Sequence, residues 1–131
     1  MDASRNLVRD FETCALPAEA FHHREHILVA WTYLRQMDYS AAEKRMSEAI
    51  RRFAGFHGAT AKYHHTITLV WMRLVAATLR DDAGIDDFDR FAGAHPELLD
   101  PAAPGRFYSP DLLQSEAARS GWVEPDIRAL P

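Results

Sequence analysis

Cysteine is nearly missing from this chain: Cys14 is the only one in 131 residues. An internal disulfide is therefore impossible, and a small scaffold stapled by bridges is excluded. A reducing, cytoplasmic compartment is the default expectation for such a chain. Also missing are C-x-x-C, G-x-G-x-x-G, a Walker loop and G-x-S-x-G. Zinc-ribbon, dinucleotide, P-loop and α/β-hydrolase chemistries thus have no motif to stand on. Long apolar runs are lacking as well. TITLVWM is stopped by Arg73, so no membrane span is expected. The N-terminal MDASRNLVRDF carries acidic residues and no apolar segment, which does not read as a secretory leader.

Positive charge is scarce. Fifteen Lys and Arg face nineteen Asp and Glu, for a net charge of −4. The imbalance is local: residues 1 to 80 carry 11 basic against 8 acidic side chains, residues 81 to 131 only 4 against 11. Lys44, Arg45, Arg51 and Arg52 decorate one helix, and a solvated helical face is the plain reading of them. A nucleic-acid groove needs more positive charge and exposed stacking aromatics, so no nucleic-acid partner is expected.

What is present is a globular composition, 47% apolar and 26% charged, long enough for a real core. Apolar residues recur at helical spacing in three long segments: Pro17 or Ala18 to Met37, Ser40 to about His57, and Ala61 to Leu79. S-A-A-E at Ser40 to Glu43 has the form of a capping box. Residues 1 to 13 suggest a short helical turn. Phe88 and Phe91 mark a shorter helix ending before His95-Pro96, and a proline-rich connector follows. Ser109-Pro110 opens a last helix to about Arg119, with Gly121 as its cap and an extended apolar tail beyond. The expectation is an all-α, compact helical bundle, three long helices with shorter C-terminal ones, in a single domain over residues 1 to 131.

Histidine is the residue type in conspicuous supply, with seven, three of them in FHHREH at 21 to 26. On a helical wheel His23 and His26 share the face of Ile27, Ala30, Trp31 and Leu34, while His22 turns outward. His64 shares a stripe with Thr68, Trp71 and Val75, and His57 follows Phe53 and Ile50 inward. Convergence of these side chains predicts a divalent-metal site held by His23, His26 and His64, with zinc, iron or nickel as the ion. His57 then serves as fourth ligand or general base, and Tyr63 as a group orienting substrate. The activity expected of such a site is that of a metal-dependent hydrolase or transferase acting on a small molecule. The alternative is metal-free: a small-ligand pocket, or a noncatalytic regulatory protein working through its surface. A homo-oligomer is compatible with either. His95 reads as a residue that caps or packs its helix. Arg106 and Tyr108, ahead of the last helix, read first as a salt bridge and a packing ring, with closure over a site as the alternative.

Four segments together, FHHREH with AWTYL, KYHHTIT with Trp71, FYSPDLL with SEAAR, and PDIRALP, resemble a family of small helical bacterial proteins of unassigned activity. That likeness spans Phe21 to Pro131 and points to His23, His26, Tyr63 and His64. Such proteins commonly read YHET in the second segment, with an acidic residue where this chain has His65. A looser likeness, in architecture and ligand type, runs to DinB-like metal-binding bundles.

Overall fold

The structure is a computed structural model that describes residues 3 to 131. The chain is all-α, with three long helices, shorter C-terminal helices, and no strand among the described residues. No helix among them is long and apolar enough to cross a membrane. Backbone contacts divide the chain into two compact units, Met1–Tyr63 and His64–Pro131.

The N-terminal unit is built from α1 (Ala3–Glu12), α2 (His23–Gln36) and α3 (Tyr39–Phe56), with 3-10 turns at Ala18–Ala20 and Thr60–Lys62. Residues 3 to 12 form a full ten-residue helix rather than the expected single turn. It is anchored by Phe11, which is completely buried and stacks on Phe21 at 4.6 Å, with Phe53 of α3 tilted 5.1 Å away. Helix α1 ends in a left-handed turn at Cys14, φ 65°, a conformation usually left to glycine. Its thiol is buried and lies 3.8 Å from the Arg52 carbonyl, which keeps it packed against α3.

Three helix starts differ from the sequence expectation, that of the helix His65–Asp81 because residues 60–62 form a 3-10 turn and His64 is the extended cap before His65. α2 begins at His23 because His22 is extended and Phe21 non-helical, and the segment from Ala18 is only a 3-10 turn. α3 begins one residue before Ser40, because the Asp38 carboxylate accepts from the Ala41 amide at 2.8 Å. An N-terminal carboxylate also suits the positive end of the helix dipole.

The C-terminal unit is built from α4 (His65–Asp81), α5 (Phe88–Ala94), α6 (Pro110–Leu113) and α7 (Glu116–Ser120). The proline-rich connector between α5 and α6 holds two 3-10 turns, Pro96–Leu99 and Ala103–Arg106. What reads as one last helix is two, because Ser115 interrupts it and caps α7 through the Ala118 amide. The extended tail is tied down by hydrogen bonds from three residues, Thr66, Tyr108 and Ser109. Buried Thr66 donates to the Gly121 carbonyl at 2.6 Å and accepts from the Val123 amide at 3.2 Å. Tyr108, wholly buried, donates to the Val123 carbonyl at 2.6 Å. Ser109 donates its amide and hydroxyl to Asp126, at 2.8 and 2.6 Å, and these bonds hold that carboxyl below its usual range. The Arg73 guanidinium then covers the Trp122 ring at 4.4 Å.

Candidate functional site

Four of the seven histidines are the residues that flank a helix as its cap. His22 precedes α2, where its amide donates to the Glu25 carboxylate at 2.8 Å and its Nδ1 lies 3.1 Å from the same oxygen. That is the reach-back half of a capping box, with an exposed histidine in the place of serine. His57 terminates α3; its ring lies on Phe53 at 4.5 Å, and Nε2 donates to the Leu16 carbonyl at 3.0 Å. His64 caps α4 through Nδ1 and reaches α6 through Nε2. Nδ1 accepts from the Ile67 amide at 3.1 Å, and Nε2 donates to the Leu113 carbonyl at 2.6 Å. His95 ends α5 and begins the 3-10 turn after it.

This overturns the metal site expected from the sequence. Among the described residues no group of three or more His, Cys, Asp and Glu side chains is placed to hold a metal ion. His23, His26 and His64 therefore do not form a zinc, iron or nickel centre, with or without His57, and no cofactor of that kind or metal-dependent hydrolase or transferase chemistry rests on them. There is no histidine cluster; there are histidines spread over helix ends. The physical reason is clearest at His64, where a metal bound to either nitrogen would displace a hydrogen bond that starts α4 or holds α6. His23 and His26 do meet, with ring centroids 6.2 Å apart and edge to face, but a pair falls short of a ligand set. The Nε2 of His26 is buried and has no hydrogen-bond partner among the described residues. Tyr63 follows the 3-10 turn at 60–62 and lies under the Arg51 guanidinium, 4.9 Å from the ring centre.

If His64 is a cap, its replacement has a graded signature. His64→Ala is expected to cost about 2 kcal/mol, about half from the lost α4 cap and half from the orphaned Leu113 carbonyl. His64→Asn should restore the capping part, because asparagine is a strong N-cap that is too short to reach α6. Denaturant unfolding of the three proteins checks this; equal stabilities for wild type and alanine would reject the capping role.

The feature that resembles a binding site lies elsewhere, within the C-terminal unit. A cavity of about 330 Å³ is walled by one face of α4, Leu74, Ala77, Thr78 and Asp81, which follow one another at helical spacing. Leu98, Ala103 and Phe107 complete the apolar wall, and His95, Glu97 and Arg106 supply polar groups. His95 is wedged between carboxylates: Nε2 donates to Asp82 at 2.8 Å, and Nδ1 lies 3.9 Å from Glu97. Its ring also lies 5.1 Å from buried Phe91, which fixes its orientation. The Arg106 guanidinium is 3.9 Å from the Asp100 carboxylate. An apolar wall with a few convergent polar groups is the usual make-up of a small-molecule site. A second cavity of about 340 Å³, lined by Ile67, Pro104, Tyr108, Pro110 and Leu113 among others, offers far less to fix a ligand's orientation. The Tyr108 hydroxyl already donates to Val123, and Gln114 is the remaining polar side chain there.

His95 caps its helix as the sequence suggests, Arg106 pairs with Asp100, and Tyr108 packs in the interior, while the side chain of Arg106 also edges the cavity. A helix ending at Leu79, as the sequence suggests, leaves Asp81 and Asp82 beyond it, whereas α4 runs to Asp81. The available signal was the i, i+3, i+4, i+7 run from Leu74 to Asp81, an apolar face that ends in a carboxylate. No protein-family model, no curated protein and no solved structure matches the chain.

Proposed function

We propose that the chain is a metal-free small-ligand-binding protein whose site is the cleft between α4 and the segment from His95 to Phe107. The observation that carries this reading is the cleft's make-up, an apolar wall from Leu74 to Phe107 edged by Asp81, His95, Glu97 and Arg106. Binding rather than covalent catalysis fits the lining, which includes no serine or cysteine. Its one hydroxyl, on Thr78, already donates to the Leu74 carbonyl at 2.9 Å. The His95 ring is likewise held in place, with a carboxylate facing each nitrogen.

The test is a thermal-shift screen of small organic molecules against the wild type and Ala77→Phe, which sets a ring in the cleft. A ligand at a hundred times its Kd adds about 2.7 kcal/mol to stability, enough for a clear rise in Tm. Hits that raise the wild-type Tm and lose their effect in Ala77→Phe support the cleft. Hits that act equally on both proteins place the site elsewhere.

A further inference from the structure

We infer that the cleft selects an amphipathic organic cation, an apolar body carrying an ammonium group, with Asp81 as the residue that meets the charge. This rests on the cleft being the binding site and adds the class of ligand. Three observations converge on it. First, the polar end of the cleft lies where α4 stops, since Asp81 is the last residue of that helix. The unpaired carbonyls of a helix C-terminus carry a partial negative charge, about half an electron, and favour a cation. Second, the charges around the cleft are unequal in availability. Asp82 is bonded to His95, and Asp100 is the acidic neighbour of Arg106. The Asp81 carboxylate has no hydrogen-bond or ion-pair partner among the described residues, and it lines the cleft. Asp82 and Asp100, outside the lining, offset the two cationic side chains of the cleft, His95 and Arg106, so the lining carboxylates Asp81 and Glu97 stand in excess. Third, the C-terminal unit as a whole is acidic, with six arginines against eleven Asp and Glu over residues 64 to 131, a balance of −5. Such a field raises the local concentration of cations and repels anions. The apolar requirement comes from Leu74, Ala77, Leu98 and Phe107, which give the body of the ligand its contact.

The probes are three molecules of one shape and different charge: phenethylamine, phenethyl alcohol and hydrocinnamate. Each is titrated into the isotope-labelled full chain at neutral pH and low salt, with amide shifts followed by NMR. The expected result is that phenethylamine moves the amides of Leu74, Ala77 and Phe107 with a Kd at least tenfold below that of the alcohol. Hydrocinnamate should bind more weakly still. Asp81→Asn, a change at an exposed position, should bring the amine to the level of the alcohol. If the alcohol or the acid binds the cleft as well as the amine does, the cation assignment is overturned while the cleft stands. If Asp81→Asn keeps the full preference, Asp81 is not the recognising group and the inference fails. If no probe moves the cleft amides, both the ligand class and the site fall.

Discussion

Replacing Glu12 by alanine is expected to cost the N-terminal unit about 3 kcal/mol, the largest single loss foreseen for a residue at its surface. Glu12 is the last residue of α1, and one of its oxygens serves both other helices. The Tyr33 hydroxyl of α2 donates to Oε2 at 2.5 Å, and the Arg45 guanidinium of α3 donates through Nε at 3.0 Å and Nη2 at 2.8 Å. The parts are unequal. Arg45 is half exposed, so its ion pair is screened and contributes at most about 1 kcal/mol. Tyr33 is only 1% exposed, and deleting Glu12 strands its hydroxyl in the interior, which costs about 1–3 kcal/mol. Burial, reinforced by Glu12, pushes the Tyr33 phenol above its ordinary range, so it remains a donor at any ordinary pH. Tyr33→Phe removes the stranded donor together with its bond and should cost only about 1 kcal/mol. The double variant then separates the contributions. Its loss should fall short of the sum of the single losses by roughly 1–2 kcal/mol, read from urea unfolding. Simple additivity would show that the Tyr33–Glu12 bond contributes nothing.

Helices were more legible in this sequence than helix ends. The three long helices follow from periodic apolar residues that do become buried, among them Ile27, Ala30 and Trp31 in α2, Met46, Ala49 and Phe53 in α3, and Trp71 and Val75 in α4. The ends were misplaced wherever a histidine did a job usually given to serine, threonine or aspartate. His64 was placed inside α4 because its wheel position suited an inward face. In fact its backbone is extended and its ring serves the first turn. A wheel assigns direction only to residues already in the helix, so it misreads a cap by construction. For His22 the wheel gives the right direction, outward, but puts inside the helix a residue that stands at its cap.

The candidate cleft was hidden for a different reason. Its walls come from α4, from the start of the first 3-10 turn and from the second, which the sequence shows only as a proline-rich connector. Proline fixes the path of such a segment without announcing where it goes. Asp81 and Asp82 also look unfavourable at a helix C-terminus, where acidic groups oppose the dipole. That local cost is part of the case for function, because His95 offsets it at Asp82 while Asp81 remains open to a ligand.

Acid should weaken the N-terminal unit through His26 before most carboxylates protonate. Burial of the ring, with His23 alongside, pushes its pKa from 6.5 down to about 3. The sign follows from proton counting. Below pH 6.5 the unfolded chain takes up a proton that the native ring refuses, so unfolding gains free energy as pH falls. The loss begins near 6.5, grows by at most about 1.4 kcal/mol per pH unit, and levels off near the native value of about 3. By pH 5 it amounts to roughly 2 kcal/mol, a large share of the stability of a small domain. His26→Leu keeps an apolar side chain against Phe21 and removes both the titration and the buried, unpartnered Nε2. The variant should match or exceed wild-type stability at pH 7 and exceed it by roughly 2 kcal/mol at pH 5. Hydrogen exchange of the α2 and α3 amides reads this for the N-terminal unit itself, and the imidazole carbon shifts of His26 should show no titration step between pH 5 and 8. Parallel pH profiles for the two proteins, or a step near 6.5, would mean that the ring is open to protons and that the acid sensitivity of this unit has another source.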